Sequence, residues 1–101
     1  MTDYVADMRE HRRLAILIFL ERLSNYSSNA SIITDMLNSP KVAVTSSRSQ
    51  VGTELAWLAE NGFVVLEGSG EFASATATPS GMDIARGRSM HPEIKRPTPR
   101  P

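Results

Sequence analysis

The densest group of side chains that could do chemistry lies between residues 46 and 53. It carries hydroxyls, one guanidinium and one amide, contributed by Ser46, Ser47, Arg48, Ser49, Gln50 and Thr53. A serine becomes a nucleophile only beside a general base, and this stretch contains neither a histidine nor a carboxylate. The group is therefore suited to hydrogen bonding with a ligand rather than to catalysis.

The other reactive residue types are scattered along the sequence. His11 and His91 stand far apart, and the pair Asp7 and His11, four residues apart, is too small a ligand set for a metal. The absence of cysteine excludes disulfides, thiolate metal sites and thiol nucleophiles. We therefore expect no catalytic residue, no metal site and no cofactor, and the chain is not expected to be an enzyme.

Charge is distributed unevenly along the 101 residues, although the formal net charge is zero. Residues 1–83 carry six basic and ten acidic side chains, whereas residues 84–101 carry five basic side chains and one acidic one. A neutral chain is not expected simply to coat nucleic acid, because nonspecific binding relies on net positive charge.

The basic C-terminal end also holds four prolines, which do not build a core. We predict a folded domain over residues 1–88 and a Pro-rich, basic, disordered tail over residues 89–101. Either the tail is solvated and balances the acidic body, or it binds an acidic partner or phosphate. In the second case its phosphate contacts would be Lys95, Arg96 and Arg100.

The first helix is predicted from about Asp3 to Leu23, and residues 14–20 make it apolar around nearly its whole circumference. Such a helix is buried on several sides, which favours a position between its own core and a second copy of the chain. We therefore expect a homodimer with Leu14, Leu17 and Ile18 in the interface. The alternative is a central helix wrapped by its own chain.

The same apolar run is too short for a membrane. Its seven residues fall far short of a bilayer span, and Asp3, Asp7 and Glu10 are unlike the start of a signal peptide. We expect a cytoplasmic protein with no membrane partner.

Local signals delimit the following helices. A second helix is predicted over residues 30–38, followed by a short β-prone segment at Val42–Val44. A third helix is predicted over residues 46–61. It has a capping box formed by Ser47 and Gln50 at its start and Gly62 just past its end.

Two strands, over residues 63–67 and 71–78, are predicted to flank a three-residue turn at residues 68–70. In the second strand Ala73, Ala75 and Ala77 share one face, which is expected to lie on the helices. Thr78 and Pro79 then predict the start of a short last helix.

This order of elements resembles a winged helix-turn-helix domain, above all in the stretch VGTELAWLAENGFVVLE over residues 51–67. More narrowly, the chain is similar to small winged-helix proteins of Mu-like transposable bacteriophages. The stretches that carry this similarity are EHRRLAIL at 10–17, YSSNA at 26–30 and HPEIKRP at 91–97. The resemblance implies an α+β fold with a three-helix core, a β-hairpin wing and a short C-terminal helix, in a phage or prophage.

The winged-helix resemblance also implies that helix 46–61 enters the major groove of double-stranded DNA. There Arg48 could donate twice to guanine, and Gln50 could pair with adenine. Ser46 and Ser47 could hold a phosphate at the helix start, with Ser49 and Thr53 beside them. The expected function is a transcriptional regulator.

An interaction module that binds a phage or host protein is the alternative, because a fold does not fix a function. Arg48 is the one cation on the third helix, which also carries Glu54 and Glu60. The predicted turn between the strands is flanked by Glu67 and Glu71 and carries no cation. These carboxylates would repel a duplex.

Overall fold

The computed structural model describes residues 4–97, which form four α-helices and one three-stranded antiparallel sheet. This arrangement confirms the α+β class. Along the chain the elements are α1 (Tyr4–Arg22), β1 (Ser27–Asn29), α2 (Ala30–Leu37), α3 (Arg48–Glu60), β2 (Val64–Glu67), β3 (Ser74–Ala77) and α4 (Pro79–Ala85). The strand order in the sheet is β1-β3-β2.

The helix starts follow their capping residues, as the sequence predicts. At α3, the Gln50 backbone N–H donates to Ser47 Oγ at 3.1 Å and the Ser47 backbone N–H donates to Gln50 Oε1 at 2.8 Å, which confirms the capping box. Gly62 follows α3 with φ +79°, a conformation that glycine adopts without strain. Thr78 caps α4 by accepting the Gly81 N–H at 3.1 Å.

The predicted strand at Val42–Val44 is wrong. The chain turns there, with Ala43 at φ 53° and its N–H donated to Ser39 O at 2.8 Å. A strand forms instead at Ser27–Asn29, between the first two helices, where the sequence analysis predicts no strand. Pairing with β3 explains this difference, because Ser27 lies opposite Thr76 across the ladder and the partner strand supplies the hydrogen bonds.

The connection between β2 and β3 is longer than the three residues predicted. β2 ends at Glu67 and β3 begins at Ser74, so residues 68–73 form a hairpin loop that includes a 3₁₀ turn at Gly70–Phe72. The alanine face of β3 is confirmed, since Ala75 and Ala77 are buried in the core.

Helix α1 is the centre of the core, packed against α2, α3, α4 and β3 of its own chain. Leu17 has no exposed surface and Leu14 is 9% exposed, while Ile18 is half-buried. This burial corrects the expected place of Leu17 and Leu14 in a dimer interface, because both side chains pack within their own chain. Across residues 4–97 no helix is long and apolar enough to cross a membrane.

Residues 89–97 pack against the domain, which departs from the disordered tail expected from residue 89. Ile94 is 3% exposed and belongs to the core, and the Lys95 backbone N–H donates to Glu10 O at 3.2 Å. The His91 ring meets Trp57 edge-on at a centroid distance of 5.2 Å. Apolar burial and main-chain bonds to α1 thus order this segment despite its prolines. Arg100 lies outside the described residues.

Candidate nucleic-acid interface

Most of the residues expected to contact DNA lie on the exposed side of α3. We call this the α3 surface; it consists of Ser47, Arg48, Ser49, Gln50, Gly52, Thr53 and Ala56, all exposed. The opposite side of the helix contributes Val51, Leu55 and Leu58 to the core. The periodicity of one helix therefore separates a polar surface from an apolar one.

Ser46 does not belong to this surface, which corrects its expected role as a phosphate ligand. It is buried, and its hydroxyl accepts a hydrogen bond from Arg12 Nε at 2.6 Å while donating to Val44 O at 2.7 Å. Its backbone exchanges two hydrogen bonds of 2.9 Å with the side-chain amide of Asn38. Ser46 thus holds the start of α3 to the end of α2 and to α1.

Gln50 and Thr53 of the α3 surface make local side-chain hydrogen bonds. Gln50 uses its amide oxygen in the capping box, so the two-bond pairing with adenine would require the cap to open. The Thr53 hydroxyl donates to Ser49 O at 3.0 Å and keeps its capacity to accept. Arg48 is exposed at the first position of α3, beside a cavity of about 270 Å³ between α2, α3 and the hairpin loop.

The chain encloses a cluster of charges behind α3, which we call the Glu54 cluster: Arg9, Arg12, Arg13 and Glu54. Glu54 Oε1 accepts from Arg13 Nε at 2.8 Å, and Glu54 Oε2 lies 3.8 Å from Arg12 Nη1 and 3.6 Å from Arg9 Nε. Glu54 is only 2% exposed, and Arg12 and Arg13 are also buried. One carboxylate on α3 therefore holds two buried guanidinium groups of α1.

Arg13 connects the Glu54 cluster to residues 89–97, which we call the C-terminal segment. Its guanidinium carbon lies 3.8 Å from the centroid of the Trp57 ring, and its Nη1 donates to Glu93 O at 2.8 Å. A cation over an indole face is favourable, particularly where water is excluded. Arg13 thus joins α1, α3 and residues 91–95 in one contact network.

The Glu54 cluster is not predicted from the sequence, because Glu54 is treated there as a carboxylate that would repel a duplex and the arginines only as part of the charge balance. A signal was present, however. Arg12 precedes Ile16 and Leu20 at helical spacing, and Arg13 precedes Leu17 in the same way, so both arginines share the faces that enter the core. Because the Glu54 side chain points inward, its carboxylate is not part of the α3 surface. Glu60, at the C-terminal end of α3, is exposed.

The cations of the C-terminal segment lie against α1 and α4. Lys95 Nζ is 3.5 Å from Asp7 Oδ1, and Arg96 lines a groove between α1 and α4. Asp7 also lies 3.6 Å from His11 Nε2, the pairing that the helical spacing predicts. Within residues 4–97 no three metal-binding side chains come together.

Comparison with known proteins gives one informative match. No protein-family model matches the chain, and no solved structure matches it. Over 93 residues the chain is 39% identical to uncharacterized protein gp26 of Escherichia phage Mu, covering 92% of this chain and 94% of the phage protein. This similarity confirms the expected resemblance to proteins of Mu-like phages. With both chains covered almost from end to end, this chain belongs to the family of the phage Mu protein gp26.

Proposed function

We propose that the chain is a winged-helix DNA-binding protein of a phage or prophage, which acts as a transcriptional regulator through α3. The element order and the sheet order β1-β3-β2 are compatible with a winged helix in which α3 is the recognition helix and the hairpin loop is the wing. The relationship to a phage protein supports the setting.

The observation that carries the proposal is the composition of the α3 surface. Its first two turns present hydroxyls and the Arg48 guanidinium, and the first carboxylate along the helix, Glu54, points into the protein. Recognition helices contact bases with their N-terminal residues, where a carboxylate would face DNA phosphates at close range. The Glu54 cluster thus removes a main electrostatic obstacle that the sequence suggests.

In this proposal Arg48 makes the principal contact, because a guanidinium can donate two parallel hydrogen bonds to guanine. Ser47 and the backbone amides at the start of α3 hold a phosphate, and Ser49 and Thr53 contact neighbouring groups. The capping box keeps the helix start ordered before DNA arrives, which lowers the entropic cost of binding.

The α3 surface contains one cation, so a single copy would neutralise few phosphates. Two copies would double these contacts, and we propose that the regulator binds DNA as a homodimer. Its interface excludes Leu17, whose side chain is enclosed in one chain. Light scattering of the protein bound to a selected duplex measures the number of copies.

A titration of full-length protein with a mixed library of labelled duplexes tests the proposal by fluorescence anisotropy at low and moderate salt. Arg48→Ala should weaken binding to a selected duplex by about 1–3 kcal/mol. Arg22→Ala is the matched control, because it removes an exposed cation at the end of α1 and should leave affinity within about 0.5 kcal/mol. No binding at low salt, or equal losses in both variants, would refute the proposal.

A second function, binding to a phage or host protein, is favoured by the hairpin loop. Phe72 is 78% exposed there, and Glu67 at the end of β2 is exposed as well. An exposed aromatic ring and an exposed carboxylate suit a protein surface better than a phosphate backbone. If wild-type protein fails to bind duplex at low salt, Phe72→Ser becomes the variant with which to examine candidate partners.

A further inference from the structure

A groove of about 780 Å³ runs between α1 and α4, on a part of the surface that shares no lining residue with the α3 surface. Its apolar lining includes Leu14 and Ile18 of α1 and Met90 of the C-terminal segment. Met90 is 64% exposed, an unusual position for a large apolar side chain next to other apolar groups. The groove therefore offers apolar area that a ligand could bury.

The rim of this groove is positively charged. It carries Arg22, Arg86 and Arg96 against the single carboxylate of Glu21. Arg86 Nε lies 3.2 Å from Glu21 Oε2, so these two charges offset each other. Arg22 and Arg96, both exposed, form no ion pair with another of residues 4–97, so within this part of the chain the rim keeps two unpaired positive charges.

We propose that the groove binds an acidic amphipathic segment of a partner protein. Two large apolar side chains, spaced as on one face of a helix, would cover Ile18 and Met90, next to the buried Leu14. Carboxylates beside them would face Arg22 and Arg96, which gives the complementary charge pattern that directs association. The volume of the groove matches that of sites that hold several side chains or a small ligand.

The charge pattern separates this partner from two other occupants. A second copy docked symmetrically would bring the arginines of one rim against those of the other, because a two-fold interface pairs the same patch with itself. A nucleic acid would contact only the arginines of the rim and would leave the apolar side chains of Ile18 and Met90 uncovered. An acidic, apolar peptide satisfies both the lining and the rim.

Two designed 16-residue peptides test the proposal by fluorescence anisotropy with full-length protein. Both carry leucines on one helical face; one has glutamates at the remaining charged positions and the other has lysines. We expect saturable binding of the glutamate peptide, at least about tenfold tighter than that of the lysine peptide. The double substitution Arg22→Glu and Arg96→Glu should weaken binding of the glutamate peptide at least about tenfold, since two ion pairs become repulsions.

The matched control is the double substitution Lys41→Glu and Arg48→Glu. It changes the net charge by the same amount as the Arg22→Glu and Arg96→Glu variant, at exposed positions outside the groove. It should leave peptide affinity unchanged while weakening duplex binding, so failure of this proposal is distinguishable from failure of the DNA-binding proposal. Far-UV circular dichroism checks that every variant folds.

Any of five results would overturn the inference. Two concern the peptides: no binding of the glutamate peptide at about 100 μM, or equal binding of the lysine peptide. The third is an equal loss of peptide affinity in the two double variants. The fourth is a wild-type dimer in light scattering that Ile18→Glu or the Arg22→Glu and Arg96→Glu variant separates, which would assign the groove to a second copy. The fifth is that duplex binding, rather than peptide binding, depends on Arg22 and Arg96.

Discussion

Replacing Glu54 by glutamine should destabilise the domain by more than any change of the same size on its surface. The substitution keeps the side-chain volume and one hydrogen-bond acceptor, but it removes the negative charge that Arg12 and Arg13 share. Both arginines are buried, and Arg13 Nε lies 2.8 Å from the carboxylate. After the change these two cations would stay enclosed without a counter-charge.

The expected magnitude follows from this geometry. Removing one partner of a buried ion pair costs about 3–5 kcal/mol, mostly through the charge left behind. Arg9 adds little, because its side chain is half exposed and its Nε lies 3.6 Å away. A domain of this length has a total free energy of unfolding of about 5–15 kcal/mol, so Glu54→Gln would remove a large share of it.

Urea unfolding followed by far-UV circular dichroism measures the loss. Trp57 fluorescence is less suitable, because the only tryptophan contacts Arg13 and would report the local change. Glu60→Gln, exposed on the same helix, is the control and should stay within about 0.5 kcal/mol. The deficit should persist in 1 M salt, because a buried pair is poorly screened. A loss below about 1 kcal/mol would refute the view that Glu54 compensates the arginines.

Two further matched pairs test the packing. Gly81→Ala should destabilise the domain by about 3 kcal/mol or more, because a Cβ at this position would collide with the carbonyl oxygen of Phe63. Gly52→Ala has open space around its Cβ and should stabilise the domain by about 0.5–1 kcal/mol. Equal midpoints of thermal unfolding in the two variants would contradict the packing. Ile94→Ala should cost about 2–5 kcal/mol in urea unfolding, because Ile94 lies in the core. Met90→Ala should cost less than about 1 kcal/mol, and similar losses in the two variants would place Ile94 outside the core.

The parts of the fold that the sequence predicted are those with local causes. Ser47 and Gln50 are three residues apart and make their two hydrogen bonds with each other, so no distant contact is needed to recognise the start of α3. The same holds for Thr78, which caps α4 through Gly81. Such signals depend on side-chain chemistry and spacing, both of which are visible in a sequence.

The features that the sequence did not predict depend on distant partners. Ser27 lies in a strand because it pairs with Thr76 of β3, almost fifty positions later in the chain. Ile94 is buried in the core that residues from distant helices and strands form, although the prolines around it suggest a disordered tail. Arg13 and Glu54 are 41 positions apart, so composition alone counts two surface charges where the structure holds one buried pair. Tertiary contacts overrode the local pattern at each of these positions.

The Glu54 cluster links the position of α3 to its surface, and this leads to an experiment that separates stability from recognition. Arg12 ties α1 to Ser46 at the start of α3, and Arg13 ties α1 to Glu54 in the middle of the helix. Neither contact uses a residue of the α3 surface. Replacing both Arg13 and Glu54 by leucine should recover part of the stability lost in Glu54→Gln, because one enclosed cation, Arg12, rather than two then lacks a counter-charge.

If the cluster serves only to fix the helix, this double variant should bind a selected duplex within about threefold of wild type, because the Arg12–Ser46 bond and the capping box remain. The double variant removes one positive and one negative charge, so it leaves the net charge of the cluster unchanged. Arg9→Gln tests the electrostatic alternative, because Arg9 is half exposed and its loss lowers that net charge. If the cluster supplies positive potential to the DNA, Arg9→Gln should lower affinity with little change in stability, and the loss should grow as salt is lowered. Measuring unfolding free energy and duplex affinity on both variants therefore distinguishes a positioning role for these charges from a direct electrostatic one.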